Sequence, residues 1–179
     1  MRGARVAITG QPGVGKTTVC RAVVNRLGRS AGGMVCSDIT EGDGEGGDSR
    51  GRRVGFELLD LQTGVKGVLA HIRGDGPRVG KYHVNMADLD RIGVSAILSA
   101  IGTDLIVIDE IAPMELTSQR FIRAVEEALA SDKDMLVVLH RRSAHPLAER
   151  IRAEFDLITV TKDNRDVIAG EIAGRFEPL

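Results

Sequence analysis

One octet constrains this chain more than any other stretch: Gly10-Gln11-Pro12-Gly13-Val14-Gly15-Lys16-Thr17, set directly behind the apolar run Val6-Ala7-Ile8-Thr9. The octet fits GxxxxGK[ST], a phosphate-binding loop, a pattern that carries weight only between a strand and a helix. Both flanks are right. Val6 to Thr9 reads as a short buried strand. Behind the octet Val19, Cys20, Val23, Val24 and Leu27 recur at helical spacing, and Gly28 is placed to close that helix in a left-handed cap.

Such a loop captures anions. Glycines let successive backbone N–H groups point inward around a β-phosphate, and the opening helix adds the positive end of its dipole. Lys16 is expected between the β- and γ-phosphates, the Thr17 hydroxyl on magnesium, and Thr18 at the α-phosphate. The expected nucleotide-binding segment is therefore Gly10, Gln11, Pro12, Gly13, Val14, Gly15, Lys16, Thr17 and Thr18.

Further along, Val54, Phe56 and Leu58 alternate with Gly55 and Glu57, which predicts a half-buried strand over 53–61. Thr63-Gly64 turns it toward a second strand near 65–70, and this part reads as antiparallel. Glu41 to Ser49 holds almost nothing apolar and reads as a loop on that hairpin. Calcium binding is the rival reading there, but the acids and glycines are out of register with an EF-hand. The second half alternates in the manner of parallel α/β units. Asn85 is a candidate cap for a helix carrying Leu89, Ile92, Ala96 and Ile97, and Leu105 to Ile108 is an apolar run suited to a strand covered on both faces. Thr117 or Ser118 caps a helix with Phe121, Val125, Ala128 and Leu129 inward, and Met135 to Leu139 is another central strand. Pro146 opens a short helix, 157–160 gives a further strand, and a last helix buries Ile168 and Ile172. The expectation is one domain over 1–179: a three-layer α/β P-loop fold with a mostly parallel central sheet and an inserted antiparallel hairpin.

The strand 105–108 ends in Asp109-Glu110, the position where P-loop proteins hold magnesium and polarise water. Asp109 is the expected metal partner of Thr17, and Glu110, one residue on, the expected base for the attacking water. His140 ends the next strand, where a polar group can sense the γ-phosphate, and Arg141, Arg142 and Arg150 are candidates for stabilising transition-state charge. After the last strand, Thr161-Lys162-Asp163-Asn164 resembles the base-reading segment of GTPases, with Asn164 in place of the reading aspartate. An amide donates or accepts, so Lys162 stacking and Asn164 pairing predict loose base selectivity. The alternative is that this segment only caps the final helix.

A chain of 179 residues has enough surface to bury a core without staples. Its two cysteines lack metal-ligand spacing, and the setting expected is a reducing cytoplasm. A net charge of −1 gives no footprint for nucleic acid, and no apolar run predicts a membrane span.

Taken in order, Gly13-Val14-Gly15-Lys16-Thr17-Thr18, Arg53-Val54-Gly55-Phe56, Val79-Gly80-Lys81-Tyr82, Ile108-Asp109-Glu110-Ile111 through Met114-Glu115-Leu116, and Thr161-Lys162 with Asn164-Arg165 resemble the THEP1 family of nucleoside triphosphatases. The resemblance spans nearly the whole chain. It implies a RecA-like P-loop fold, magnesium-dependent release of γ-phosphate from several nucleotides, slow turnover, and Glu110 as base. Two departures stand out: Ala112-Pro113 replaces a glycine common after Asp-Glu-Ile, and Asp38-Ile39-Thr40 replaces Glu-hydrophobic-Arg, leaving Arg50, Arg52 or Arg53 to supply that charge. The rival functions are a nucleoside or nucleotide kinase and a nucleotide-gated binding switch.

Overall fold

The structure is a computed structural model that describes residues 3–42 and 51–177. The 41–49 segment considered for calcium lies mostly outside the described residues, as does Arg50. The strands are β1 (Arg5–Gly10), β2 (Ala31–Glu41), β3 (Arg52–Asp60), β4 (Lys66–His71), β5 (Arg78–Val79), β6 (Tyr82–Val84), β7 (Leu105–Ile111), β8 (Asp134–Leu139) and β9 (Asp156–Val160). Among the described residues they form one nine-stranded sheet in the order β5-β6-β4-β3-β2-β7-β8-β1-β9. The helices are α1 (Lys16–Leu27), α2 (Met86–Asp88), α3 (Val94–Ala100), α4 (Gln119–Ala130), α5 (Pro146–Glu154) and α6 (Ile168–Gly174).

The half of the sheet from β2 to β9 is parallel, as βαβ crossovers require. Its central strands β7, β8 and β1 are largely apolar on both faces because both are covered. Ala7, Ile106, Ile108 and Val137 face a core built with Ile97 of α3, Phe121 and Val125 of α4, and Leu147 and Ile151 of α5. Val6, Ile8, Val107 and Val138 alternate with them and face Val19, Cys20 and Val23 of α1 and Ile168 and Ile172 of α6. This is the three-layer arrangement that the sequence predicts, with the apolar residues of the central strands divided between the two cores.

The other half is antiparallel. The expected hairpin is present as β3 and β4, and it continues the same sheet through β6 and β5. The link is β2, an element the sequence reading leaves out. Residues 31–35 of β2 pair parallel with β7, while residues 34–41 pair antiparallel with β3. Gly33 makes this close approach feasible: its φ is +120°, and a Cβ there would stand 1.9 Å from the Val107 carbonyl oxygen.

Local caps follow the predicted chemistry. Gly28 closes α1 with φ +58°, its N–H donating to the Val24 carbonyl. The Asp88 N–H donates to Asn85 Oδ1 at 3.1 Å, and the helix then passes through a π-helical turn, Leu89–Gly93, before α3. Ser118, not Thr117, caps α4: its Oγ accepts from the Phe121 N–H at 3.0 Å and donates to Asp90 Oδ1 at 2.5 Å. Ser118 thus ties the start of α4 to the π-helical turn, and it is 1% exposed. Replacing Ser118 with Ala is expected to cost about 1 kcal/mol, read as a lower urea midpoint at unchanged slope.

Candidate functional site

The octet forms the connection between β1 and α1 at the carboxyl edge of the parallel half. Gly13 and Gly15 take φ of +75° and +109°, backbone values that side-chain-bearing residues avoid, and Gly15 is the N-cap of α1 with no side chain bonded to the helix end. The free N–H groups of that first turn are left for an anion. Lys16 folds back over the loop, its Nζ donating to the Gly10 carbonyl at 3.3 Å and the Gln11 carbonyl at 3.2 Å.

Asp109 lies near the end of β7 and is 1% exposed. Burial pushes its carboxyl up to about 7; a hydrogen bond from the Thr17 side chain opposes this, the charge of Glu110 adds to it, and Arg21 and Lys16 oppose it. The second carboxylate oxygen, Oδ2, has no partner among the described residues. A buried, unpartnered carboxylate oxygen beside a hydroxyl is a hard-oxygen donor set open to further ligands, and it fits a magnesium ion that keeps water and phosphate oxygens. Glu110 follows through a cis peptide. Its carboxyl is raised by burial, while Lys16 and His140 favour its charged form.

A cleft of about 960 Å³ joins these groups. Gly10, Gln11, Pro12, Gly13, Gly15, Lys16 and Thr17 line it with Asp109, Glu110, His140, Arg141 and Arg142. Val14 is instead buried against the α1 face of the core, and Thr18 is exposed on the first turn of α1 outside the cleft lining. Arg150 is also away from the cleft, paired with Glu154 at 2.7 Å.

Lys162 and Asn164 follow β9, on the other side of β1 from β7, and do not line the cleft. The Asn164 amide is already engaged: Oδ1 accepts from the Thr161 N–H at 2.8 Å and Nδ2 donates to the Thr159 carbonyl at 3.0 Å. That geometry is the turn-capping arrangement, with Lys162 exposed beside it. The neighbouring Arg165 reaches back to the Val14 carbonyl at 3.5 Å and so touches the loop itself.

Several cleft residues carry no role in the sequence reading: Arg21 of α1, and Cys36, Ser37, Asp38, Phe56, Met114 and Glu115 along β2, β3 and the turn after β7. Arg53 sits 3.4 Å from Asp38 and over the Phe56 ring at 5.4 Å; of Arg52 and Arg53, the two described arginines considered there, it is the one that borders the cleft. Glu115 is 3% exposed, and its Oε2 has no partner among the described residues. Burial holds that carboxyl well above the usual range, Glu110 and Asp109 push the same way, and backbone groups at Glu115 and Ala112 oppose them.

Among the described residues no helix is long and apolar enough to cross a membrane. The chain matches a family model described as NTPase over residues 5–173. It is 49% identical over 176 residues to the nucleoside-triphosphatase THEP1 of Methanosarcina acetivorans, covering 96% of each chain, and 47% identical to that of Methanosarcina barkeri, covering 98% of each. Its fold is similar to the crystal structure of THEP1 from the hyperthermophile Aquifex aeolicus, with a TM-score of 0.83 and 30% identity over 97% of this chain and 99% of that one. It is also similar to the solution structure of a human cancer-related nucleoside triphosphatase, with a TM-score of 0.77 and 30% identity over 96% of each. A phosphate loop, a buried carboxylate in the same cleft as its threonine, and near full-length identity of this order agree: the chain belongs to the THEP1 family of nucleoside triphosphatases and is an NTP hydrolase.

Proposed function

We propose that this chain, acting as one P-loop domain, hydrolyses ATP, GTP and other nucleoside triphosphates to diphosphate and phosphate with Mg2+, slowly and with little regard for the base. The observation that carries the reading is the buried Asp109 carboxyl, which lines the cleft with Thr17 of the phosphate loop and leaves Oδ2 unpartnered among the described residues. Thr17 and Asp109 would hold the magnesium ion, which when bound neutralises charge shared between β- and γ-phosphate oxygens.

The remaining work falls to the chain. Loop N–H groups from Gly13 to Thr17 orient the phosphates, and Lys16 leaves its two carbonyls to reach the β- and γ-oxygens. Thr18, on the first turn of α1, serves the α-phosphate. Glu110 takes the proton from the attacking water; burial raises its carboxyl, while Lys16 and His140 favour the charged form. Arg141 and Arg142 stand exposed on the cleft wall and are not clamped over the γ-position, in keeping with slow turnover.

The base lies toward the turn after β9. With the Asn164 amide held by Thr159 and Thr161, the stem of Lys162 supplies a stacking surface without a donor and acceptor code. Loose selectivity follows. A cytoplasmic setting, where triphosphates and Mg2+ coexist, fits this activity.

Free phosphate released from ATP and from GTP, with and without Mg2+, tests the proposal, and kcat/KM values for the two bases should agree within about 100-fold. Lys16→Ala is expected to weaken Mg2+-dependent triphosphate binding by roughly 10- to 100-fold, measured by titration with a fluorescent analogue. Glu110→Gln should lower kcat by ~10²-fold or more while the same titration stays near the unsubstituted value. Binding that ignores both Mg2+ and Lys16 would sink the reading.

A further inference from the structure

The cleft does not end at Glu110. It continues over β2, β3 and β4, where Cys36, Phe56, Leu69, Val79 and Met114 give apolar walls, Glu115 a buried carboxyl, and Arg53 and Asp38 a charged rim. A volume of about 960 Å³ is at the upper end of the ~300–1,000 Å³ typical of ligand pockets. A triphosphate on the loop accounts for one half only. Strand order sends the nucleotide's own base away from the other half: Lys162 follows β9, beyond β1, whereas this compartment lies beyond β7. Glu110 stands between the two halves.

We propose that the compartment over β2, β3 and β4 binds a neutral nucleoside whose hydroxyl accepts the γ-phosphoryl group in place of water. The inference rests on the nucleotide reading given above. Three observations shape the ligand. The apolar walls, with Phe56 among them, suit a flat ring. Glu115 is 3% exposed, lines the cleft and keeps Oε2 without a partner, so a group that hydrogen-bonds it is missing from the free chain. A carboxyl presents adjacent donor and acceptor positions, which match the amide or amidine edge of a base. Finally, the apolar walls favour an uncharged acceptor, and its hydroxyl needs the base that Glu110 supplies.

The step balances without another reactant. The acceptor hydroxyl gives its proton to Glu110 as its oxygen bonds to the γ-phosphorus, the bond from that phosphorus to the β,γ-bridging oxygen breaks, and the electron pair leaves with the nucleoside diphosphate. Glu110 then returns the proton to solvent.

The full chain is incubated with Mg2+ and γ-labelled ATP beside adenosine, guanosine, cytidine, uridine or thymidine, and label on nucleoside is read against free phosphate. Label is expected on at least one nucleoside, with the transferred-to-free ratio rising and then saturating with nucleoside concentration. Glu115→Gln and Met114→Phe should each lower that ratio by ~5-fold or more at subsaturating nucleoside. Glu115→Gln is expected to fold well. Its carboxyl lies above the ordinary 4.5 only in the folded state, so ionising it weakens folding as pH rises past 4.5, and the variant should melt higher than the native chain at pH 8 with the gap closing toward pH 4.5. A chain that binds and hydrolyses triphosphate but labels no nucleoside overturns this inference alone. So does label appearing on nucleoside monophosphates only, or nucleoside that merely competes with ATP. A chain that binds no triphosphate overturns the nucleotide reading as well.

Discussion

The meeting of Thr17 and the buried Asp109 carboxyl in one cleft joins two segments more than ninety positions apart, and the site exists only because both are fixed. Thr17 is on the first turn of α1, held by the left-handed backbone of Gly13 and Gly15. Asp109 is held by β7, which pairs with β2 on one side and β8 on the other. A carboxylate so buried is costly in the free chain, and its raised ionisation reports that cost. Natural structures retain such groups where an ion or ligand offsets the penalty.

Much of the architecture was legible because its physics is local. The β1, loop and α1 succession follows from an apolar run, glycines at the turn and a helical stripe. The central strands β7 and β8 read directly because both faces are covered and the runs 105–108 and 135–139 hold no polar residue. Caps at Asn85 and Ser118 followed from side-chain chemistry alone, although only the structure chose Ser118 over Thr117.

What stayed hidden depends on distant partners. The strand β2 contains Gly32-Gly33, residues of low strand propensity; the glycine at 33 is there because Val107 comes so near. A run of Met34, Val35 and Cys36 behind it was the available signal. The short β5 and β6 carry too few residues to show a period. At the site, Asp109 and Glu110 were announced by the strand before them, but Glu115 was not, since a glutamate after a methionine gives no hint of burial until the turn folds back on the cleft. Asn164 was legible as a polar residue after a strand; that its amide is spent on Thr159 and Thr161 is visible only in three dimensions.

The resting position of Lys16 carries a consequence for what the protein ignores. Its ammonium is already solvated by two peptide oxygens, so an incoming anion has to outbid them. Orthophosphate brings few oxygens and leaves most of the cradle unfilled, whereas a polyphosphate engages the helix mouth and the side chain together. An anion that fills only part of the cradle therefore gains less against this internal competition than a chain of phosphates does.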